Sequence, residues 1–268
     1  MQQLTPGVKT ILLANIVVFV LGYVLMYMGI NMDNYLALYY IKCEQFKPLQ
    51  FITYMFVHGG LMHIFFNMFA LVQFGSIIEN VWGTKRFAFY YLFTGVGAAI
   101  VNMIVNHYQL HPLLDAANAY LSNPSPDSLM ALAHSSNYFD EAKVAQIVEI
   151  WRSGQIPESE IIDTTFGQVQ ELVDKASSRA MVGASGAIFG LLLAFGMMFP
   201  NLKLQILFIP VGIPAKYFVV LYGVAELFFG VKGFTGDNIA HFAHLGGMLF
   251  GIILLLWWRK NPHNELFN

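Results

Sequence analysis

Long apolar runs separated by short polar segments dominate the chain. Stretches free of Asp, Glu, Lys and Arg cover 10–32, 48–78, 87–114, 180–202 and 238–258. Each reaches the length of about 20 apolar residues that a helix needs to cross a hydrocarbon core. A sixth run, 217–230, is interrupted by Glu226, and Pro210 and Pro214 break the apolar sequence ahead of it. The pattern predicts an all-α membrane protein with six spans and both termini on one side. The run 11–29 lacks a small-residue cleavage site and reads as a retained helix, not a removed signal.

The pattern changes once, between 107 and 179, where Asn, Ser, Pro and mixed charges replace the apolar run. This segment holds ten acids against four bases, so it is expected to be solvated. Ser-Asn-Pro-Ser-Pro-Asp at 122–127 signals a loop, and Val144, Ile147, Val148 and Trp151 recur at helical spacing. The predicted organisation is a membrane domain of residues 1–106 and 180–260, a partly helical insert of 107–179 between spans 3 and 4, and a short tail of 261–268.

Composition excludes a water-soluble globule: 57% of residues are apolar and 11% charged, where a soluble domain carries about 25% charged residues. A net charge of −2 points to no nucleic-acid partner, and a single cysteine, Cys43, closes no internal disulfide. The bases do orient the chain. Lys9, Lys85, Arg86, Lys203, Lys216, Arg259 and Lys260 all flank the same ends of the predicted spans. An N-in, C-in topology therefore satisfies the positive-inside rule.

Polar groups inside a span cost free energy unless they find partners or do work. His58 and His63 open the second run, with Asn67 one turn beyond His63 on the same helical face. His241 and His244 open the last, and Ser185 opens the fourth within Met-Val-Gly-Ala-Ser-Gly-Ala. In the predicted topology all three sets lie toward the outer side. Gly183 and Gly186 leave the backbone beside the serine uncrowded. Gly186 with Gly190, and Gly247 with Gly251, are small-residue pairs of the kind that let helices approach in lipid. Packing through them would bring Ser185 within reach of His244, which shares a face with Gly247. His241 reads as a loop contact or a water-facing residue, and Glu226 as a structural polar contact or a group near water. The histidine pairs, at i+5 and i+3 without a His-Glu-x-x-His sequence, are no standard metal-ligand set.

Taken together, Gly183-Ala184-Ser185-Gly186, His63-x-x-x-Asn67 with His58, and Ala243-His244-Leu245-Gly246-Gly247 with Gly251 resemble the rhomboid intramembrane serine proteases in order and spacing. The resemblance implies a six-helix bundle in which Ser185 and His244 form a dyad without a third acid. It further implies that His63, Asn67 and the Ser185 amide stabilise the oxyanion, that His58 supports them, and that Glu79 holds a structural position. It implies transmembrane substrates, a lipid bilayer as surroundings, no cofactor and no metal. The family's compact six-span form points to a bacterial inner membrane, with the site opening outward. Two positions depart from the family pattern: 33–47 contains no Trp-Arg pair, and Phe189 stands where a tyrosine often packs under the histidine. The competing class is a non-catalytic rhomboid-like binder or chaperone of transmembrane segments. Such relatives typically lack the serine or the histidine.

Overall fold

The computed structural model describes residues 4–135, 139–205, 212–232 and 241–260. In chain order its elements are α1 (Pro6–Tyr27), α2 (Asp33–Leu36), α3 (Gln50–Thr53), α4 (Leu61–Ala70), α5 (Ser76–Trp82) and α6 (Thr84–Ser122). They continue with α7 (Pro126–His134), α8 (Glu141–Ser153), α9 (Glu158–Ser177), α10 (Ser185–Met198), β1 (Lys203–Gln205), β2 (Gly212–Pro214), α11 (Ala215–Lys232) and α12 (His241–Lys260). The fold is mostly helical. Among the described residues, two strands form one antiparallel pair, with Leu204 opposite Ile213.

Among the described residues, four helical stretches are long and apolar enough to cross a membrane: Pro6–Tyr27, Leu61–Trp82, Thr84–Ser122 and His241–Lys260. The other two predicted spans fall short for local reasons. The helix of the fourth run starts only at Ser185 and has 14 residues, because 180–184 is non-helical. The 18 residues of α11 include Lys216, Glu226 and Lys232, so no span-length window of this helix holds fewer than three charged residues. The second run is likewise not a plain helix. It opens with α3 and a 3-10 turn (Tyr54–Phe56), and a π-helical segment (Leu71–Gly75) joins α4 to α5.

The chain divides into two compact units. One comprises the residues up to Leu38, Gln45–Met103 and those from Ala180 onward; the other comprises Tyr39–Glu44 and Ile104–Arg179. The core of the first is built on fully buried Tyr54, Met55, Leu71, Ile78, Phe87, Tyr90, Tyr91 and Phe195. Buried phenols need partners, and Tyr54 donates to the Gly95 carbonyl at 2.7 Å and Tyr90 to that of Gly190 at 2.9 Å. Gly83, at φ +75°, ends α5 in a conformation open to glycine and turns the chain into α6. Beside this turn Arg86 lies over the Trp258 ring, 4.1 Å from its centroid.

Glu79 ties the start of the chain to this unit. It accepts from the Thr5 hydroxyl, from the Gly7 amide at 2.7 Å, from the Val8 amide at 2.8 Å and from the Thr84 hydroxyl at 2.6 Å. The first amides of a helix have no partner within it. A carboxylate there satisfies them and complements the helix dipole.

In the second unit, Ser125 caps α7 reciprocally with Ser128, and Asp140 caps α8. Val144, Val148 and Trp151 are buried, and the hydroxyls of Tyr120 and Thr165 meet at 2.5 Å. The polar character of 107–179 begins inside a helix: α6 runs to Ser122 with Pro112 in its interior.

Candidate active site

Three segments converge around Ser185. The first is 180–184, non-helical and tethered by paired hydrogen bonds between Leu38 and Met181 (2.9 and 2.8 Å) and by the Gly183 amide, which donates to the Tyr54 carbonyl at 2.9 Å. Gly183 has φ +115°, and a Cβ there would stand 2.6 Å from His63 Nε2. Only glycine accommodates both this backbone and the imidazole beside it. Ser185 is the first residue of α10, so its amide lies outside the intrahelical ladder and stays free to donate.

The second segment is α12. A Cβ on Gly247 would fall 1.9 Å from the Gly186 carbonyl oxygen, so the backbones of α10 and α12 touch at this point. One turn back along α12, the buried His244 presents Nε2 to Ser185 Oγ at 2.8 Å. Its ring lies flat on that of Phe189, with centroids 4.1 Å apart and planes 5° apart. Gly190 and Gly251 serve a different contact. A Cβ at Gly190 would strike Thr94, and one at Gly251 would strike the Tyr90 hydroxyl, so these two glycines face α6 and not each other. Spacing alone supplies small residues without naming the helix they meet.

The third segment is the start of α4. His63 Nδ1 accepts from the Gly59 amide at 3.3 Å, which leaves Nε2 to carry the proton of a neutral ring on the side of Gly183. Asn67 is buried and donates to the His63 carbonyl at 2.9 Å, so one of its two amide hydrogens remains available. His58 packs edge-on against His63, centroids 5.0 Å apart. It also lines a cavity of about 150 Å³ with Val18 and Gly22 of α1 and with Asp33. Burial there pushes the Asp33 carboxyl above its usual range.

Two residues given bland readings from sequence belong to this cluster. Glu226 is buried, and its Oε2 lies 2.9 Å from His244 Nδ1 and 2.6 Å from His241 Nδ1. It is not a group near water, and His241 is not a water-facing residue at the mouth of a span. The signal was present in the sequence: an acid inside an apolar run is expensive without a partner, and His241 and His244, three apart, share a helical face.

The family model described as Rhomboid domain matches residues 45–117 and 161–261. The chain belongs to the rhomboid family. The matched segments of this rhomboid contain every residue of the cluster and leave 118–160 outside. Among curated proteins it is 25% identical over 245 residues to "Rhomboid-like protein 11, chloroplastic" of Arabidopsis thaliana, covering 87% of this chain and 64% of that protein. It is 31% identical over 62 residues to "Rhomboid-like protein 15" of the same plant, covering 23% of this chain and 15% of that protein. With "RHOMBOID-like protein 6, mitochondrial", also of Arabidopsis, it is 36% identical over 53 residues, covering 20% and 17%. The chain thus spans under two thirds of the length of each of these relatives. At family level the relationship supports intramembrane proteolysis.

Proposed function

We propose that this protein is an intramembrane serine endopeptidase that cuts transmembrane segments near the outer membrane face. The observation that carries the reading is the 2.8 Å approach of Ser185 Oγ to His244 Nε2. The Phe189 stack supports it further by limiting rotation of the ring. In this reading Ser185 attacks the scissile carbonyl carbon while His244 takes the hydroxyl proton, and His244 later returns that proton to the leaving amine. The negative charge that develops on the carbonyl oxygen is met by the Ser185 amide, His63 Nε2–H and an Asn67 amide hydrogen. His58 backs His63. A helical carbonyl is hydrogen-bonded along its own chain, so a substrate must unwind locally before it can reach the serine.

The proposed architecture is a six-span bundle in which α10 and α11 complete the four longer apolar helices, with 107–179 as an insert between the third and fourth spans. The run of basic flanks supports an N-in, C-in orientation. The compact six-span form favours a bacterial inner membrane; the organelle names of the relatives belong to those plant proteins.

The test is labelling of the purified protein with a fluorophosphonate, together with cleavage of a transmembrane reporter. Both are expected in the wild type and neither in Ser185→Ala. Equal cleavage by wild type and Ser185→Ala would refute the reading and favour a non-catalytic binder of transmembrane segments, with a contaminant as the source of the cleavage.

A further inference from the structure

Glu226 lies one helix away from the serine, yet its carboxylate holds the ring that holds the serine. One oxygen, Oε2, stands within hydrogen-bond distance of Nδ1 of both His241 and His244. All three residues are buried. A buried carboxylate is stabilised when ring N–H groups point at it. The geometry therefore places the proton of neutral His244 on Nδ1 and leaves Nε2, the atom facing Ser185 Oγ, with its lone pair. That is the tautomer a general base requires.

Resting on the serine-protease reading, we infer that Glu226 is a positioning residue that converts the Ser185–His244 pair into a three-residue relay, with His241 holding the carboxylate in place. When His244 accepts the serine proton on Nε2 it becomes an imidazolium with N–H groups on both sides. The Nδ1–H still points at Glu226, so the new positive charge forms against an existing negative one. No proton need move to Glu226, which acts by its charge and by its orientation. His241 supplies the second N–H to Oε2 and so opposes rotation of the carboxylate away from His244.

The same three ligand atoms lie within 4.8 Å of one another, so a metal is the competing use of this cluster. A tetrahedral zinc with bonds of about 2.0–2.1 Å separates its ligand atoms by about 3.3 Å. The observed 2.6 and 2.9 Å separations are those of hydrogen bonds. The cluster is closed around protons.

The experiment measures kcat and KM of the full-length protein in detergent on a transmembrane reporter for Glu226→Gln, Glu226→Asp, His241→Gln and the double variant Glu226→Gln/His241→Gln. Thermal midpoints and the fluorophosphonate labelling rate are followed in parallel. The Gln side chain keeps the size of Glu but lacks the charge, and it can turn a donor toward Nδ1. Glu226→Gln should lose about 10- to 100-fold in kcat, up to the lower end of the roughly 10²–10⁴-fold that general acid–base catalysis supplies, because the base itself remains; KM should stay within about twofold. Glu226→Asp should recover a large part of this loss. His241→Gln should lower kcat by a smaller factor, about 2- to 10-fold, and have no further effect when added to Glu226→Gln.

Wild-type kcat in Glu226→Gln, or losses in Glu226→Gln and Glu226→Asp that follow the folded fraction alone, would overturn the inference. If Glu226→Gln does not fold, His241→Gln decides: unchanged kcat in that variant rejects the relay. The Ser185→Ala control separates the two levels. Cleavage that depends on Ser185 but is indifferent to Glu226 removes only the relay, whereas cleavage indifferent to Ser185 removes the protease reading itself.

Discussion

Gly186 and Gly247 meet backbone to backbone: the Gly186 carbonyl oxygen occupies the space that a Gly247 side chain would need, 1.9 Å from the ideal Cβ position. The obstacle is a main-chain atom, so relief requires α10 and α12 to part. Gly247→Ala is therefore expected to lengthen the Ser185–His244 contact and to reduce reporter cleavage at least about 100-fold, since misplacement of about 1 Å can cost that much. It should also destabilise the protein by about 1–3 kcal/mol through overpacking. A thermal midpoint and a turnover rate measured on one preparation check both effects.

The ring of Phe189 lies face to face with that of His244. Phe189→Leu retains apolar volume and removes the flat partner, worth about 0.5–1.5 kcal/mol in aromatic pairs. Expressed as rate, this corresponds to a loss of about 2- to 10-fold. The loss should fall on kcat and not on KM, because the ring touches the base and not the proposed path of the substrate.

For the proposed oxyanion donors, His63→Ala is expected to lower kcat about 10²–10³-fold, the usual loss on removing one such donor. The Asn67 amide also bonds the His63 carbonyl, so Asn67→Ala should lower kcat and, in addition, lower the thermal midpoint slightly. Single-turnover cleavage resolves the rate effect. A kcat unchanged in both variants would remove them from the site.

Glu79 joins four donors from two helix starts. Glu79→Ala leaves those donors without an acceptor, and each bond to a charged group contributes about 1.5–3 kcal/mol. The expected result is a marked fall in thermal stability, while the fluorophosphonate labelling rate of the remaining folded fraction stays near that of the wild type. Labelling scored against folded protein by gel filtration tests this directly.

How far the sequence could be read depended on whether a feature was local. Runs free of charge mark where helices lie, because the cost of charge in lipid acts residue by residue. The short start of α10 was hidden for the same reason: 180–184 is as apolar as the helix that follows, and the hydrogen bonds that hold it outside the helix come from Leu38 and Tyr54. The pairing of Gly190 with Thr94 and of Gly251 with Tyr90 is tertiary, and a spacing of four residues names no partner. Glu226 stood out as an acid in an apolar run, but its partners lie 15 and 18 residues further along, on another helix. Nothing in local periodicity links those positions.

The way α1 is fastened has a consequence for how the molecule tolerates change. Most of its length is exposed, while Gly7 and Val8 at its base are buried beside Glu79. A mast stepped in this fashion can be repainted along its shaft without disturbing the deck. Exchange of its exposed apolar positions for other oily residues should leave the rest upright, whereas a single methyl group at Gly7, which would lie 2.9 Å from a Glu79 carboxylate oxygen, unseats the whole pole.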